Sequence, residues 1–224
     1  MWHAFDAQEA YLTQIVDKVS TSLEQAVAAH GSAGLAVSGG KSPIPLFERL
    51  SLADIPWDKI HIRLVDERFV PPADPDSNEW LVRQYLLVNR ARLAGFTGLV
   101  SDPADLGRCV AQANRLPCDI TVAILGMGDD GHTASLFPGA PQLSEALDTS
   151  RPQRYLRISP PAAPHERISM TLAALLDARQ LVLAIAGGHK RRIFEQAARQ
   201  ATPALPVSYL IAQTGVPLNV YWQA

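Results

Sequence analysis

The chain has 224 residues, 47% of them hydrophobic, with 20 Lys plus Arg against 22 Asp plus Glu and a net charge of −2; that is enough to bury a sizeable core in one α/β domain. So balanced a charge supplies no chain-wide field for nucleic acid or for an acidic membrane, and neither is expected as a partner. The two cysteines, Cys109 and Cys118, form no C-x-x-C and have no histidine at ligand spacing, which argues against a disulfide framework and a structural zinc site and for a reducing compartment.

The opening MWHAFDAQEAYLTQIVDKVS has no basic region ahead of an apolar stretch, and no apolar run approaches the roughly 20 residues of a bilayer span. A soluble, cytoplasmic protein is expected, with residues 1–224 forming a single domain. From Ala7 to His30 apolar residues recur at helical spacing (Leu12, Ile15, Val16, Val19, Leu23, Val27), and Gly31 stands where a C-cap belongs. Four short apolar runs follow, in GLAVSGG, KIHIRLVDER, DITVAILGMGDDGH and QLVLAIAGGHK, each ending in a glycine-rich or charged turn. They read as buried strands. Between and after them, SNEWLVRQYLLVNRARL, DPADLGRCVAQANRL, RISMTLAALLDA and HKRRIFEQAARQA have helical period. Alternation of this kind predicts a mostly parallel sheet with helices on both faces. Proline-rich PPADPD and the stretch 151–164 are expected to be irregular.

In open parallel sheets ligands sit beyond the carboxyl ends of the strands, and SGGKS, DERFVP, GMGDDGH and GGHK all fall there. Four turns could thus line one crevice. Gly126, Gly128 and Gly131 have the G-x-G-x-x-G spacing of a dinucleotide loop, but Asp129 and Asp130 would repel a pyrophosphate. Pro138 cuts short the helix expected next, and no ribose-binding acid stands about 20 residues on at the end of a second strand. What remains is an Asp-x-His pair, Asp130 and His132, on a glycine-lined loop, and a neutral imidazole is the usual general base. SGGKS misses the P-loop spacing, because Leu35 occupies the place of the earlier glycine. It still suits a smaller anion site, with Pro43 as first residue of a helix. Asp66, Glu67 and Arg68 read alone as a solvated turn. Arg167 and Lys190 are cations placed to complete a phosphate site. His165 and His189 have no evident partner, and Trp2, Trp57, Trp80 and Trp222 read as packing residues.

Together, VSGGKSP, VDERFVPPADPDSN, ILGMGDDGHTASLFPG and HERISMT resemble the 6-phosphogluconolactonase family, in the family's order and across most of the chain. That family is similar in fold to glucosamine-6-phosphate deaminase and belongs with the group containing ribose-5-phosphate isomerase. The resemblance implies a Rossmann-like three-layer α/β/α sandwich and hydrolysis of a sugar-phosphate lactone without a cofactor or metal. It implies that Ser38, Gly39, Gly40 and Ser42 meet the phosphate with Arg167 and Lys190, while Lys41 stands where a small hydroxyl residue is common and its contribution is open. Asp66, Arg68 and Asp130 would surround the lactone, with His132 as base and Asp130 or Asp66 orienting it. Where the deaminase-type loop carries a glutamate, this chain has Phe137. Two alternatives remain: an isomerase or deaminase of the same fold, opposed by Phe137, and a non-catalytic sugar-phosphate sensor, opposed by the retained Asp-x-His pair.

Overall fold

The structure is a computed structural model that describes residues 1–117 and 119–224. The expectation for Cys118 lies outside them, while Cys109 is a buried free thiol. Seven strands, β1 (Trp2–Phe5), β2 (Ala33–Val37), β3 (Ile60–Leu64), β5 (Gly95–Thr97), β6 (Val122–Leu125), β9 (Gln180–Ala186) and β10 (Leu218–Gln223), form one sheet in the order β1-β10-β9-β6-β2-β3-β5. Every pairing in it is parallel. β2 and β6 are buried along their whole length, as strands covered on both faces must be.

The helical repeat near the start forms α1 (Gln8–His30), burying Ile15, Val19 and Leu23 among others. It ends at Gly31, whose φ of 80° lets its N–H return to the Val27 carbonyl at 2.8 Å. The remaining helices are α2 (Ile44–Leu50), α3 (Asn78–Tyr85), α4 (Leu106–Ala113), α5 (Leu143–Leu147), α6 (Leu172–Leu176), α7 (Gly187–Ala197) and α8 (Val207–Ala212). With right-handed crossovers, connections running toward the β5 edge carry α1, α2 and α3 over one face. Those running back toward β1 carry α4 and α7 over the other. The α/β/α sandwich is thus the architecture. Among the described residues no helix is long and apolar enough to cross a membrane.

β2 and β6 are neighbours, but the chain leaves β2 toward β3 and leaves β6 toward β9. The direction of winding reverses between them, and this is where an open α/β sheet offers a crevice. Ser38 N–H donates to the Ile124 carbonyl at 3.0 Å and joins the two strand ends there.

Several elements differ from the sequence expectation. Asp66–Arg68 is not a solvated turn but β4, antiparallel to β8 (Arg167–Met170), which also pairs with β7 (Tyr155–Ile158) in a second, three-stranded sheet. Hence RISMTLAALLDA is a strand followed by the short α6, and the stretch 151–164 contains the whole of β7 despite its prolines. No helix follows GMGDDGH; a turn closed by the Thr133–Leu136 bridge does. Pro43 caps α2 from just outside rather than beginning it. The edge strands β1 and β5, and β10 beside β1, are additional to the runs named from sequence, being only partly buried.

Candidate active site

A cleft of about 650 Å³ opens over the carboxyl ends of β2, β6 and β9. Its lining includes Ser38, Gly39, Gly40, Ser42, Asp66, Arg68, Gly126, Gly128, His132, Arg167 and Lys190. The four turns singled out from sequence therefore converge. Lys41 and Asp130 do not line it: Lys41 is exposed, and Asp130 stands behind the histidine.

The loop after β6 is wound around its own histidine. Gly128 N–H donates to the His132 carbonyl at 2.9 Å and Gly131 N–H to the Gly128 carbonyl at 3.1 Å. A β-carbon at Gly128 would lie 2.2 Å from the His132 ring, and Gly131 has a φ of 76° with Leu205 packed against it. A β-carbon at Gly126 would meet nothing within 4 Å, so only this glycine leaves open space. Two of the three glycines that mimic a dinucleotide loop, Gly128 and Gly131, are thus required for folding the loop back on His132. Asp130 Oδ1 accepts the His132 backbone N–H at 3.1 Å and lies 2.5 Å from Nδ1. Burial acts to raise the Asp130 carboxyl, but its hydrogen bonds with the His132 ring and backbone outweigh this and hold it below the ordinary carboxylate value. With Asp130 ionised, Nδ1 carries the proton and the neutral ring presents a lone pair at Nε2. Phe137 stacks obliquely on the ring, 4.4 Å between centroids.

Asp66 and Arg68 face the cleft from β4, with the intervening Glu67 turned away as strand alternation demands. Asp66 does not orient His132: its Oδ2 accepts the Ser135 hydroxyl at 2.5 Å, and its carbonyl accepts Asn78 Nδ2 at 2.8 Å. Orienting the imidazole falls to Asp130, which is only two residues away and already bonded to the same backbone. Arg68 Nη1 donates to the Asp76 carbonyl at 2.5 Å. Glu67 is 1% exposed; burial pushes its carboxyl up to about 7, against hydrogen bonds from Asn78, Glu79, Ser77 and Arg68 that act the other way.

Arg167 sits opposite Arg68 in the β4–β8 register. It is 5% exposed, and donates to the Pro164 and His165 carbonyls at 2.7 and 3.1 Å. Its pKa is lowered by burial and by Arg68, which Asp66, Glu67 and Asp76 offset only in part. Two guanidiniums held this way favour an anion. Lys190, in the first turn of α7, donates to the Met127 carbonyl at 2.6 Å. At the other end, Gly39 is tight against Asn78, where a β-carbon would come within 1.9 Å of Oδ1, and Gly40 has a φ of 94°. Ser38 Oγ is buried without a hydrogen-bond partner among the described residues.

Sequence reasoning missed Asn78, Asp76 and Ser135. All three lie inside stretches already singled out, Asp76 and Asn78 in VDERFVPPADPDSN and Ser135 in ILGMGDDGHTASLFPG, but no spacing within those stretches marks them, and their partners stand 8, 12 and 69 positions away. His165 does have a partner: its Nε2 lies 3.2 Å from Asp76 Oδ2, and the residue adopts a φ of 67°. Among the described residues no group of three or more His, Cys, Asp or Glu side chains is placed to hold a metal ion.

Three comparisons bear on this site. The family described as Glucosamine-6-phosphate isomerases/6-phosphogluconolactonase matches residues 6–222. The 6-phosphogluconolactonases of Neisseria meningitidis serogroup A and Rhizobium meliloti are each 38% identical, over 99% and 98% of this chain and 98% and 97% of their own lengths. A crystal structure of a 6-phosphogluconolactonase from Shewanella baltica is 37% identical and superposes with a TM-score of 0.94, covering 100% of this chain and 97% of the other. A monomeric glucosamine-6-phosphate deaminase, 15% identical, covers 98% and 96% with a TM-score of 0.81 and shares the fold.

Proposed function

Because the chain belongs to the glucosamine-6-phosphate isomerase/6-phosphogluconolactonase family, we propose that it hydrolyses 6-phospho-D-glucono-1,5-lactone to 6-phospho-D-gluconate, a step of the oxidative pentose phosphate pathway. The observation that carries this reading is His132, backed by Asp130, on the same cleft as Arg68 and Arg167: a base and two cations for a substrate that needs attack at a carbonyl and capture of a phosphate.

In this mechanism His132 Nε2 removes a proton from water as the oxygen attacks the lactone carbonyl, and Asp130 stabilises the resulting imidazolium through Nδ1. Arg68 faces the tetrahedral oxyanion and then the product carboxylate. Collapse breaks the ring ester bond, the imidazolium returns its proton to the departing ring oxygen, and the carboxylic acid so formed releases its remaining proton to solvent to give the carboxylate. Water is the one co-reactant, and the reading assigns no cofactor and no metal. General-base assistance contributes about 10²- to 10⁴-fold; orientation supplies the rest, with the phosphate as handle. The turn Ser38–Gly40 with Ser42, Arg167 and Lys190 is assigned to that phosphate. Asp66, committed to Ser135, is assigned to the sugar side of the lactone. Phe137, buried between His132 and the Arg167 guanidinium, leaves no titratable group where the deaminase-type loop has its glutamate. Residues 1–224 are read as one catalytic unit, since β1 and β10 from opposite chain ends pair. A doubly charged sugar phosphate does not cross membranes, so the enzyme is placed in the cytoplasm with its substrate.

The test is the rate of lactone loss from freshly generated 6-phosphogluconolactone, corrected for spontaneous hydrolysis, beside ammonia release from glucosamine 6-phosphate. Acceleration of the first without the second is expected. Ammonia release without lactonase activity would replace this reading with the deaminase one.

A further inference from the structure

Glu67 lies between two residues of the cleft yet cannot reach it, and it is 1% exposed with no cation bonded to it among the described residues. Its Oε1 accepts the backbone N–H of Arg68 and of Asn78, both at 2.7 Å. Its Oε2 accepts the Ser77 hydroxyl at 3.0 Å and the Glu79 N–H at 2.7 Å. All four lone-pair sites of a carboxylate are therefore in use. Two of the donors are the first free N–H groups of α3, so the side chain tethers β4 to the start of that helix across the intervening loop. Ser77, while donating to Glu67, caps the helix by accepting Trp80 N–H at 3.2 Å.

The residues fixed by this tether in turn hold the cleft side chains. Asp76, immediately before Ser77, supplies the carbonyl that binds the Arg68 guanidinium, and Asn78 supplies the amide that binds the Asp66 carbonyl. Burying a carboxylate against dipoles alone is expensive, and a well-packed apolar side chain commonly stabilises a fold as well or better. What an apolar residue could not supply is a fixed relation between strand and helix at this point.

We propose that Glu67 is a positioning residue of the lactone hydrolysis, holding Arg68 in its working orientation by binding the Arg68 backbone and the first turn of α3 to one carboxylate. The proposal rests on the role given above to Arg68. Displacement of a working group by about 1 Å costs up to roughly 100-fold in rate, so Glu67→Gln, which turns two acceptor sites into donors facing N–H groups, should lower kcat about 10- to 100-fold while KM stays within about threefold.

The experiment is a double-mutant cycle of Glu67→Gln with Arg68→Ala on the full chain, assayed at about pH 8, above the value of about 7 to which burial pushes the Glu67 carboxyl. If Glu67 works through Arg68, the second substitution abolishes the effect of the first, and Glu67→Gln changes kcat less than about twofold in the Arg68→Ala background. The same loss in both backgrounds, or a kcat near wild type for Glu67→Gln alone, would overturn the proposal. Should Glu67→Gln not fold, Ser77→Ala, which removes one of the four donors, replaces it in the same cycle with a smaller expected loss and the same criterion. A wild-type chain that does not accelerate lactone loss would overturn the functional reading itself, an outcome distinct from an active wild type whose cycle is additive.

Discussion

Asp130 grips His132 twice, accepting the backbone N–H at 3.1 Å with the same oxygen that lies 2.5 Å from the ring Nδ1. The pair is formed within a single loop, so its geometry depends on the glycines around it more than on the rest of the fold. The Asp130 side chain is 48% exposed, and its contribution to stability is correspondingly screened.

Since the native Asp130 carboxyl is held below its ordinary value, its stabilisation is present above the unfolded-state pKa and is lost as pH falls through the native one. Denaturant midpoints of wild type and Asp130→Asn should differ at neutral pH, with wild type the more stable, and converge in acid below the ordinary aspartate range. A gap that does not change with pH would mean the pair carries no linkage.

His132→Asn keeps a polar side chain of similar reach but removes the titrating nitrogen. We expect kcat to fall by about 10²- to 10⁴-fold with 6-phosphogluconate affinity, measured calorimetrically, retained. A variant with near-normal kcat would pass the role of base to a carboxylate of the cleft.

The glycines of the loop should separate by position. Gly128→Ala puts a methyl group into the His132 ring, whereas Gly126→Ala meets nothing within 4 Å of protein. The first should lose activity through displacement of the imidazole while its thermal unfolding remains cooperative. The second should fold as wild type and show its defect as a raised KM, because the added methyl group faces the cleft. Equal kinetic defects in the two variants would contradict the assignment of Gly128 to ring packing.

Arg167→Ala and Lys190→Ala should impair the phosphorylated lactone far more than unphosphorylated δ-gluconolactone. Each loss of a charge-assisted contact corresponds to about 1.5–3 kcal/mol, roughly 10- to 100-fold in kcat/KM. Arg167→Ala also removes the bonds to the Pro164 and His165 carbonyls, so a lowered Tm is expected and the ratio between the two substrates is the diagnostic quantity. Identical losses on both substrates would assign these cations to structure.

By itself the sequence determined the central strands, the long first helix and the placement of the candidate residues at strand ends. Burial of a strand or of one helix face leaves a local, periodic mark: LAV, VAIL and LVLAI are apolar throughout because both faces of β2, β6 and β9 are covered there, and Gly31 stands where the chain turns left-handed. The Asp130–His132 pair was legible for the same reason, its partners being two residues apart. Only the tertiary structure decided what lies far apart in the chain. Asp66–Arg68 looks like a solvated turn because all three side chains are charged, and it becomes a strand through β8, about a hundred residues later. Ser135 takes Asp66 away from His132 across 69 positions, and Asp76 and Asn78 enter the site from the end of a proline-rich loop and the start of α3, which no local pattern announces. The winding reversal between β2 and β6 depends on strand order, which no local pattern encodes, because a strand's composition reports how deeply it is buried and not which strand lies beside it.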